Sequence, residues 1–558
     1  MLERDFKKYV AVYYKQLAAG KVDGEIVKRL EPYRVKNAVI MAAGMSTRFA
    51  PLSYEKPKAL LRVKGEILIE REIRQLQEAG ITEIYLVVGY MKEKLFYLAE
   101  KFGVHIIVNE DYYRYNNIST LMRVRQHLSN TYICSADNYF SENPFELFVY
   151  KGYYAAVYGK GETDEYCLSF DEDGKINGVS VGGADSWYMM GHVYFDKDFS
   201  NTFVKIMEKE FTRPAVKSYL WEDLYREHLD KLILYIRKYD AGVIHEFDSL
   251  EELRLFDEKY LQDADSNAFN NICKILGCKE SDIRDITPVK FGMTNLSFRF
   301  SCNGEWYIYR HPGHGTEKYI NRRSEAASMI VAKKMGLDDT FIYMDPEMGW
   351  KLSRFVDDAV QLDYNNKEQV EKALQGLRRL HTSGEKTNFS FDIWSEIESF
   401  RQALDERGRH DYPDFNELAE MIDKIHGALK ITKASCCLCH ADSYSPNFLF
   451  DVKGRMYLID WEYSGMADPA VDIGTFVTCS DYRFEELVEI LKLYFGRAPS
   501  NSELLHFTGY TAICSYYWYL WALYQESNGK SIDQYMYIWY QHTKLYGSSF
   551  FKILNKGE

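Results

Sequence analysis

The sequence predicts an α/β protein in two parts: a doubly wound sheet, followed by a small β lobe joined to a large helical lobe. Strand and helix patterns alternate from residue 37 to about residue 140, which is typical of a doubly wound parallel sheet. Three strand patterns separated by turns follow at 286–313, and the remaining sequence is mostly helical. We therefore expect a helical extension at 1–36, a first domain at 37–262 and a second domain at 263–558.

The individual elements follow in order. Residues 1–36 are predicted to form one or two short helices. The apolar strands "NAVIMAAG", "ITEIYLVVGY", "VHIIVNE" and "NTYICSADNYF" alternate with the helices "ILIEREIRQLQEAG" and "MKEKLFYLAEKFG". Ligands bind such sheets at the carboxyl ends of the strands, where Gly44, Gly89 and Asp137 fall. A helical stretch at 249–277 leads into the second part, whose helices are interrupted by a hairpin pattern at 447–462.

The composition restricts the kind of protein. A chain of 558 residues with 46% hydrophobic and 27% charged residues is expected to be globular and to have several domains. Its net charge of −13, without a long basic run, argues against nucleic acid as a partner. No apolar stretch approaches the length of a membrane span, and the N-terminus lacks a signal-peptide core. We expect a cytoplasmic protein, and the sequence leaves its oligomeric state open.

A group of thiols raises the question of a metal site. Cys436, Cys437, Cys439 and His440 lie close together in sequence. No second ligand pair follows at zinc-finger spacing. We interpret these cysteines as small buried side chains on a strand that enters a loop.

The first candidate site follows the first strand of the sheet. A phosphate cradle requires backbone N–H groups that a ligand can approach closely, and therefore glycine and small residues. "AAGMSTR" meets this need and adds Arg48, while Lys58 follows a proline in "EKPKAL". The residues proposed to bind nucleotide here are Ala42, Ala43, Gly44, Ser46 and Gly89.

This pattern resembles the nucleotidyltransferases that make nucleoside-diphosphate sugars and alcohols. Ser46 stands where that family usually has a second glycine, and Ala59 replaces a proline. The segments "NEDYYRYNNISTL", "SADNYF" and "HEFDSLEEL" narrow the resemblance, over about 37–258, to bacterial CTP:phosphocholine cytidylyltransferases. The resemblance implies that Asp137 and Asp248 hold Mg²⁺. It also implies that Gly44 and Arg48 hold the phosphates of CTP while Lys58 neutralises charge at the transferring phosphorus.

An acceptor with a quaternary ammonium would need aromatic side chains. Such a cation donates no hydrogen bonds, so proteins hold it against aromatic faces, often beside carboxylates. Tyr166 and Trp221 match the family's choline-facing positions, and Glu222 follows directly.

The second candidate site lies in "CHADSYSPNFLF" and "LIDWEYSG". Phosphoryl transfer to an alcohol needs an acid that orients the hydroxyl, and an amide and a second acid that hold Mg²⁺. Asp442, Asn447 and Asp460 provide this set. The pattern departs from that of protein kinases and resembles the choline kinase and aminoglycoside phosphotransferase superfamily, which implies a protein-kinase-like fold and ATP as the donor.

The small lobe supports the same resemblance. "KFGMTNLSFRF" resembles the turn that covers the nucleotide, with Gly292 and Asn295. "YIYRHPGHGTEKYINRRSEAA" resembles bacterial choline kinases of the Lic type. It implies that Arg310 takes the place of the usual strand lysine and that Glu325 pairs with it.

A late helix, "CSYYWYLWALYQE", carries Trp518 and Trp521 on one face. After a catalytic loop of this type, the pair resembles the Trp-x-x-Trp wall of a choline cage. Glu462 and Tyr540 are further candidates for contact with choline.

Both halves therefore indicate one pathway. The second part is expected to phosphorylate choline with ATP, and the first to join phosphocholine to CTP with release of pyrophosphate. Three alternatives remain open. The same reactions could act on ethanolamine or another amino alcohol. A sugar-1-phosphate nucleotidyltransferase could be fused to an aminoglycoside-type kinase. The chain could also be a scaffold descended from enzymes.

Overall fold

The computed structural model describes residues 1–261, 264–289, 295–313, 320–407, 414–429, 436–528, 532 and 534–555. They form two compact units, Met1–Ile283 and Arg284–Glu558. The helix Asn267–Leu276 packs with the first unit, because the Glu55 carboxylate accepts hydrogen bonds from Ser266 Oγ at 3.0 Å and Ala268 N at 2.8 Å. The domain boundary at 262/263 stays a prediction.

The first unit is built around a mixed sheet. Its elements in chain order are α1 (Glu3–Ala18), α2 (Gly24–Leu30), β1 (Asn37–Ala42), α3 (Leu52–Glu55), β2 (Arg62–Val63), β3 (Glu66–Ile67), α4 (Leu68–Glu78), β4 (Ile84–Val88), α5 (Tyr97–Phe102), β5 (His105–Val108), α6 (Asn117–Val124), β6 (Thr131–Ser135), β7 (Asn138–Phe140), β8 (Tyr153–Phe170), β9 (Ile176–Phe195), α7 (Lys197–Glu210), α8 (Trp221–Glu227), β10 (Tyr235–Tyr239), β11 (Ile244–Glu246), α9 (Leu250–Phe256) and α10 (Asn267–Leu276).

Seven of these strands form one sheet in the order β10-β8-β9-β6-β1-β4-β5. β1 is parallel to both β4 and β6, so the carboxyl ends of the three strands meet at one edge. β1 is an interior strand of this sheet, and its Ala38, Val39 and Ile40 are fully buried. The doubly wound α/β arrangement predicted from sequence is confirmed. The long antiparallel ribbon of β8 and β9 extends it.

The second unit has two lobes. Its elements in chain order, beginning at the unit boundary, are β12 (Ile283–Pro288), β13 (Asn295–Cys302), β14 (Glu305–Pro312), α11 (Arg322–Lys334), β15 (Phe341–Met344), β16 (Lys351–Arg354), β17 (Val360–Gln361), α12 (Lys367–His381), α13 (Ile393–Asp405), α14 (Phe415–Ala428), β18 (Cys437–Cys439), β19 (Phe448–Phe450), β20 (Met456–Leu458), β21 (Gly465–Ala467), α15 (Ala470–Thr478), α16 (Phe484–Phe495), α17 (Asn501–Ser527) and α18 (Gln534–Leu554).

The small lobe is a five-stranded sheet in the order β12-β13-β14-β16-β15, and α11 follows β14. The large lobe is helical, with β19 and β20 forming the predicted hairpin. α17 is buried at every position from Phe507 to Leu523. This is the pattern of a helix surrounded by others, so its aromatic residues face several neighbours. The two-lobed kinase-like arrangement is confirmed. Among the described residues, no helix has both the length and the apolar character needed to cross a bilayer.

Two helical glycines in the second unit should respond in opposite ways to alanine. A Cβ on Gly474 of α15 would lie 2.8 Å from Cys514 Sγ, whereas a Cβ on Gly427 of α14 meets no atom within 4 Å. We expect Gly474→Ala to destabilise the unit by about 1–3 kcal/mol through overpacking. Gly427→Ala should stabilise it by up to about 1 kcal/mol through helix propensity. Urea unfolding of both variants beside the parent measures the difference, and equal midpoints would contradict the packing of α15 on α17.

Candidate active sites

A cavity of about 460 Å³ opens where β1 and β6 end. Most of the nucleotide residues predicted from sequence line it. These are Ala42, Ala43, Gly44, Ser46, Arg48, Lys58 and Asp137. The parallel register of β1 and β6 causes this convergence, because it places the segments that follow both strands at the same edge of the sheet.

The two predicted glycines, Gly44 and Gly89, suit their positions for different reasons. A Cβ on Gly44 would contact nothing within 4 Å, so its backbone is open to a ligand. A Cβ on Gly89 would lie 2.8 Å from the Ala43 carbonyl oxygen and from Tyr112 Cβ. Gly89 therefore supports the loop from behind. Ser46 has φ 47°, a left-handed conformation that explains why related sequences favour glycine at its position.

Lys58 and Asp137 form a partly buried ion pair. Lys58 Nζ lies 2.8 Å from Asp137 Oδ2, and only 7% of the Lys58 side chain is exposed. The ammonium group also lies 4.9 Å from the centre of the Phe49 ring. Asp137 Oδ1 is buried without a hydrogen-bond partner among the described residues. A buried carboxylate oxygen without a partner is costly, so this atom is available to a cation.

Asp248 lies beside Arg48, with 3.0 Å between the guanidinium and the carboxylate. Glu246, two residues earlier on β11, belongs to the same acidic group. Burial and then the carboxylates of Asp137 and Asp248 raise the pKa of Glu246 above its usual value, against the opposing effect of Lys58. A group of carboxylates in which Asp137 and Asp248 raise the pKa of Glu246 is an electrostatic arrangement that a divalent cation relieves. Glu246 lies in "HEFDSLEEL", and sequence reasoning missed it as a member of this acidic group.

The three predicted acceptor residues lie near one another and have different surroundings. The Tyr166 hydroxyl donates to Asp223 at 3.0 Å. Trp221 is 1% exposed, and its ring stacks on Tyr154 at 5.7 Å. The Glu222 carboxylate accepts hydrogen bonds from Tyr154 at 3.1 Å and from the Asn117 amide at 3.4 Å. Burial raises the pKa of Glu222 to about 7.

Sequence reasoning missed one wall of the cavity. It is formed by Asn109, Tyr112, Tyr113, Tyr115, Asn116 and Asn117. The segment "NEDYYRYNN" carries these residues, and its density of tyrosine and asparagine was the available signal. Asn117 connects this wall to Glu222 and also accepts a hydrogen bond from the Trp221 backbone at 2.7 Å.

The second site is centred on Asp442, in the loop after β18. The Asn447 amide donates to Asp442 Oδ2 at 2.9 Å and to the Asp442 carbonyl at 2.8 Å. Burial and then the carboxylates of Asp460 and Glu462 raise the pKa of Asp442 well above its ordinary value. Asp460 has φ 64°, so the backbone turns sharply after the β20 hairpin. The structure thus brings together the three residues predicted from two separate motifs.

Asp472 on α15 holds this loop from below, and sequence reasoning missed it. Its carboxylate accepts hydrogen bonds from His440 N at 2.9 Å and Ala441 N at 2.6 Å. Its second oxygen, Oδ2, also contacts His381 Nε2 at 2.8 Å. Ala441 has φ 63°, so these bonds fix an unfavourable backbone turn directly before Asp442. Asp472 is the second aspartate of "DPAVDIG", and nothing in the sequence indicated its partners.

Arg310 in the small lobe carries the cation of this site. Its guanidinium lies 2.5 Å from Glu325 Oε1 and 3.2 Å from Asp460 Oδ1. Burial alone would raise the pKa of Glu325, but Arg310 and Lys351 outweigh it and hold that pKa at about 2. The Arg310 Nε and one terminal nitrogen are buried and have no partner among the described residues. The predicted Arg310–Glu325 pair is present, with donors left for an anion.

Asn295 and Glu462 join a second polar group. The Asn295 amide donates to Glu462 at 2.8 Å and accepts from Arg322 at 3.0 Å. Burial and the neighbouring Asp460 raise the pKa of Glu462 to about 7. Glu462 therefore lies with the small-lobe residues, although sequence placed it near choline. Gly292 lies outside the described residues, so its role stays a prediction.

Trp518 and Trp521 belong to a cluster of three indoles. Their ring centres are 5.6 Å apart, and Trp539 of α18 lies 5.7 Å from Trp518 and 6.2 Å from Trp521. Tyr463 contacts Trp518 at 6.4 Å. Burial and carboxylates that include Asp442 raise the pKa of Tyr463, so this ring connects the cluster to the catalytic loop. Sequence reasoning missed Trp539 and Tyr463.

Tyr540 has other partners. Its hydroxyl donates to Asp414 at 2.8 Å and receives a hydrogen bond from Lys544 at 2.6 Å. Its ring lies 5.5 Å from Tyr519. Because Tyr540 follows Trp539 on one helix, the two side chains point in different directions. The structure does not bring Tyr540 into the indole cluster.

The two parts of the chain match different families of known proteins. Residues 38–143 match the family model for a MobA-like NTP transferase domain, and residues 330–505 match the phosphotransferase enzyme family. The chain is 24% identical to Protein LicA of Haemophilus influenzae over 257 residues, which is 44% of this chain and 94% of that protein.

The first part has two further relatives. The chain is 32% identical over 221 residues to the choline-phosphate cytidylyltransferase of Streptococcus pneumoniae, covering 40% of this chain and 96% of the relative. The chain belongs to the cytidylyltransferases, joined to a phosphotransferase. The cytidylyltransferase part is also 35% identical over 229 residues to the 2-aminoethylphosphonate cytidylyltransferase of Lancefieldella rimae, covering 40% of this chain and 93% of that protein. The resemblances that the sequence analysis stated for both parts are confirmed.

The two glycines of the cytidylyltransferase cavity should give separable defects. We expect Gly44→Ala to leave the melting temperature unchanged and to weaken CTP binding about tenfold, because its Cβ projects into the open cavity. Gly89→Ala should cost about 1–3 kcal/mol in stability, because its Cβ meets the backbone of the loop. Calorimetric CTP titration beside thermal unfolding distinguishes them. A Gly44→Ala protein that binds CTP normally would contradict the cradle.

Glu222 should make stability depend on pH. Its folded-state pKa of about 7 exceeds the ordinary 4.5. As the pH rises, the carboxyl group therefore loses its proton at a lower pH in the unfolded chain than in the folded protein. Stability is then highest below the unfolded pKa and falls as pH rises through the folded pKa, by up to about 3 kcal/mol. We expect the cytidylyltransferase transition of Glu222→Gln, compared with the parent, to lose less stability between pH 5 and pH 8. Parallel loss in both proteins would show that Glu222 ionises normally.

Proposed function

We propose that this enzyme makes CDP-choline in two steps. The phosphotransferase unit moves the γ-phosphoryl group of ATP to the hydroxyl of choline. The cytidylyltransferase unit then joins the resulting phosphocholine to CTP and releases pyrophosphate. One observation carries this proposal: a site for phosphorylating an alcohol shares a chain with a site that consumes a phosphorylated alcohol. Because both reactions consume nucleoside triphosphates, the cytoplasmic location expected from sequence fits them.

The relatives of the cytidylyltransferase unit bear names with different acceptors, a phosphate ester and a phosphonate. A phosphotransferase forms an O–P bond and cannot form the C–P bond of a phosphonate. If the two units act in succession, the acceptor must therefore be a phosphate ester. This reasoning favours phosphocholine or phosphoethanolamine over 2-aminoethylphosphonate.

The indole cluster favours choline over ethanolamine. A primary ammonium group needs hydrogen-bond acceptors for its N–H donors. A trimethylammonium group has no N–H donors and binds aromatic faces instead. Trp518, Trp521 and Trp539 lie together and connect through Tyr463 to the loop that carries Asp442. We place the choline ammonium against these rings and its hydroxyl toward Asp442. Glu462 and Tyr540, proposed from sequence, contact other groups and would act at most indirectly.

In the cytidylyltransferase unit, catalysis depends on fixed positive charge. Nucleotidyl transfer builds negative charge around the α-phosphorus of CTP, and preorganised cations stabilise it. Lys58 is held in place by burial and by Asp137, which is the property such a group needs. Gly44 and Ser46 expose backbone N–H groups to the triphosphate, and Arg48 lies at the edge of the same cavity.

We propose that the phosphocholine acceptor binds deeper in the cytidylyltransferase site than CTP does. Tyr166, Trp221 and Glu222 remain its proposed neighbours, together with the tyrosine wall around Tyr112. Glu222 would supply the negative charge, because a bound cation stabilises its ionised form. Trp221 would act through Tyr154, on which it stacks.

Both units fit Mg²⁺ as cofactor. In the first, the partnerless Asp137 Oδ1 and the nearby Asp248 are hard oxygen donors of the kind Mg²⁺ prefers. In the second, Asn447 and Asp460 offer the same chemistry beside Asp442. When bound, the metal would neutralise phosphate charge. The chain's own cations, Lys58 and Arg310, lie against Asp137 and Asp460 and would add to this neutralisation.

In the phosphotransferase unit, Asp442 accepts a hydrogen bond from the substrate hydroxyl and orients it. The Asn447 amide, 2.9 Å from Asp442 Oδ2, holds the carboxylate in a fixed orientation for this role. Arg310, held by Glu325, offers its remaining donors to the ATP phosphates, and Asn295 begins the neighbouring strand β13. Gly292 keeps the nucleotide-covering role that the sequence resemblance implies. Asp472 fixes the loop backbone so that Asp442 is already oriented.

The two activities should be separable by mutation. We expect Asp442→Asn to abolish phosphocholine formation and to leave CDP-choline synthesis from added phosphocholine intact. Lys58→Ala should do the reverse, because each residue serves one unit. Phosphorus NMR of reactions containing choline, ATP, CTP and Mg²⁺ follows both products at once. If either folded variant lost both activities, the two-site assignment would be wrong.

The indole cluster should set selectivity for choline. We expect Trp518→Ala and Trp521→Ala each to raise the KM for choline about tenfold, with smaller effects in the phenylalanine variants, and to leave the KM for ATP unchanged. Tyr540→Phe is the matched control on the neighbouring helix and should have no effect. An unchanged choline KM in folded tryptophan variants, or a parent that prefers ethanolamine, would contradict choline as substrate.

A further inference from the structure

Three side chains that can bind a metal ion converge in the large lobe. His381 is the last residue of α12, and Cys437 and Cys439 lie on β18. One ligand atom from each lies within 4.8 Å of the others. Cys437 and Cys439 are two positions apart on a strand, so their thiols point to the same side. The cysteine motif found in sequence therefore has a histidine partner that sequence spacing could not reveal.

The distance between the sulfurs distinguishes two kinds of chemistry. Cys437 Sγ and Cys439 Sγ are 3.8 Å apart. A disulfide would require about 2.05 Å. Two thiolates on a tetrahedral zinc ion, each at about 2.3 Å from the metal, lie about 3.8 Å from each other. The two thiols are thus already spaced for a shared metal ion and would have to move to form a disulfide.

The histidine is oriented as a metal ligand usually is. His381 Nε2 lies 2.8 Å from Asp472 Oδ2. A histidine bound to metal commonly donates its other ring N–H to a carboxylate, which fixes the tautomer and the ring orientation. Nδ1 is then the ligand atom, and it lies 2.8 Å from the Tyr494 hydroxyl. A metal ion bound to Nδ1 would replace this hydrogen bond, which leaves the Tyr494 oxygen close enough to serve as a further ligand.

The surroundings permit entry and retention of an ion. Cys439 is fully buried, and 9% of His381 is exposed, while Cys437 is half-buried and gives access from the surface. Such a mixture of sulfur and nitrogen donors selects soft or borderline metals over Mg²⁺. The Mg²⁺ proposed for catalysis would not compete here, since its ligands are oxygens.

We propose that His381, Cys437 and Cys439 form a binding site for one thiophilic divalent cation such as Zn²⁺, with the Tyr494 oxygen or water in the fourth position. The site is connected to the catalytic loop by two direct contacts. Asp472 bonds His381 on one side and the backbone of His440 and Ala441 on the other. Cys439 directly precedes His440. An ion in this site fixes the support on which Asp442 depends.

Co²⁺ offers a test that does not depend on activity. The full-length reduced protein, freed of metal by a chelator, is titrated with Co²⁺ and followed by absorption spectroscopy. We expect a thiolate-to-cobalt charge-transfer band that saturates at one equivalent and disappears when Zn²⁺ is added. Co²⁺ bound at the oxygen-lined catalytic sites gives no such band. Zn²⁺ should also raise the melting temperature of the phosphotransferase unit, because it binds the folded state.

Three variants complete the experiment. Cys437→Ser and Cys439→Ser should each lose the band and the Zn²⁺-dependent rise in melting temperature. Cys278→Ser is the matched control, because Cys278 is a partly buried cysteine of the first unit and its replacement should leave both signals unchanged. Cys437 is half-buried, so its variant should fold. Absence of the band from the parent protein, or its persistence in Cys437→Ser, would overturn the proposal.

Discussion

Both active sites must hold several carboxylates close together, and each does so by placing a buried cation against them. Lys58 lies against Asp137 in the first unit, and Arg310 lies against Glu325 and Asp460 in the second. Removing one partner of such a pair leaves an uncompensated buried charge, which is strongly destabilising. The positions of the loops that carry these residues are therefore tied to the electrostatics of the site. In the proposed mechanism the same cations face the phosphates of the nucleotide.

The two units solve the problem of backbone positioning differently. The first uses the sheet itself: parallel β1 and β6 deliver their following loops to one edge, and Gly89 allows the supporting strand to approach closely. The second has little sheet beneath its catalytic loop. There a single side chain, Asp472, accepts two backbone hydrogen bonds and holds a left-handed turn at Ala441. Asp472 also links the loop to the site formed by His381, Cys437 and Cys439.

Aromatic residues in this chain serve packing and, in the proposed function, recognition. Tyrosine occurs 45 times, and aromatics make up 15% of the sequence. Trp221 is an example of packing, because its ring is enclosed by Tyr154 and Phe195. The cluster of Trp518, Trp521 and Trp539 lies beside the catalytic loop instead. Composition shows the excess of rings, and only their neighbours distinguish a core residue from one that faces a substrate.

The sequence by itself determined the two folds and predicted a phosphate loop and a catalytic set, because those features depend on residue types at short spacings. "AAGMSTR" and the Asp442–Asn447 pair can each be recognised from a few neighbouring residues. The tertiary structure alone decided that His381 meets Cys437, that Asp472 supports His440 and that Trp539 joins Trp518 while Tyr540 does not. The physical reason is that periodicity identifies an apolar or polar face and does not specify which distant surface that face packs against.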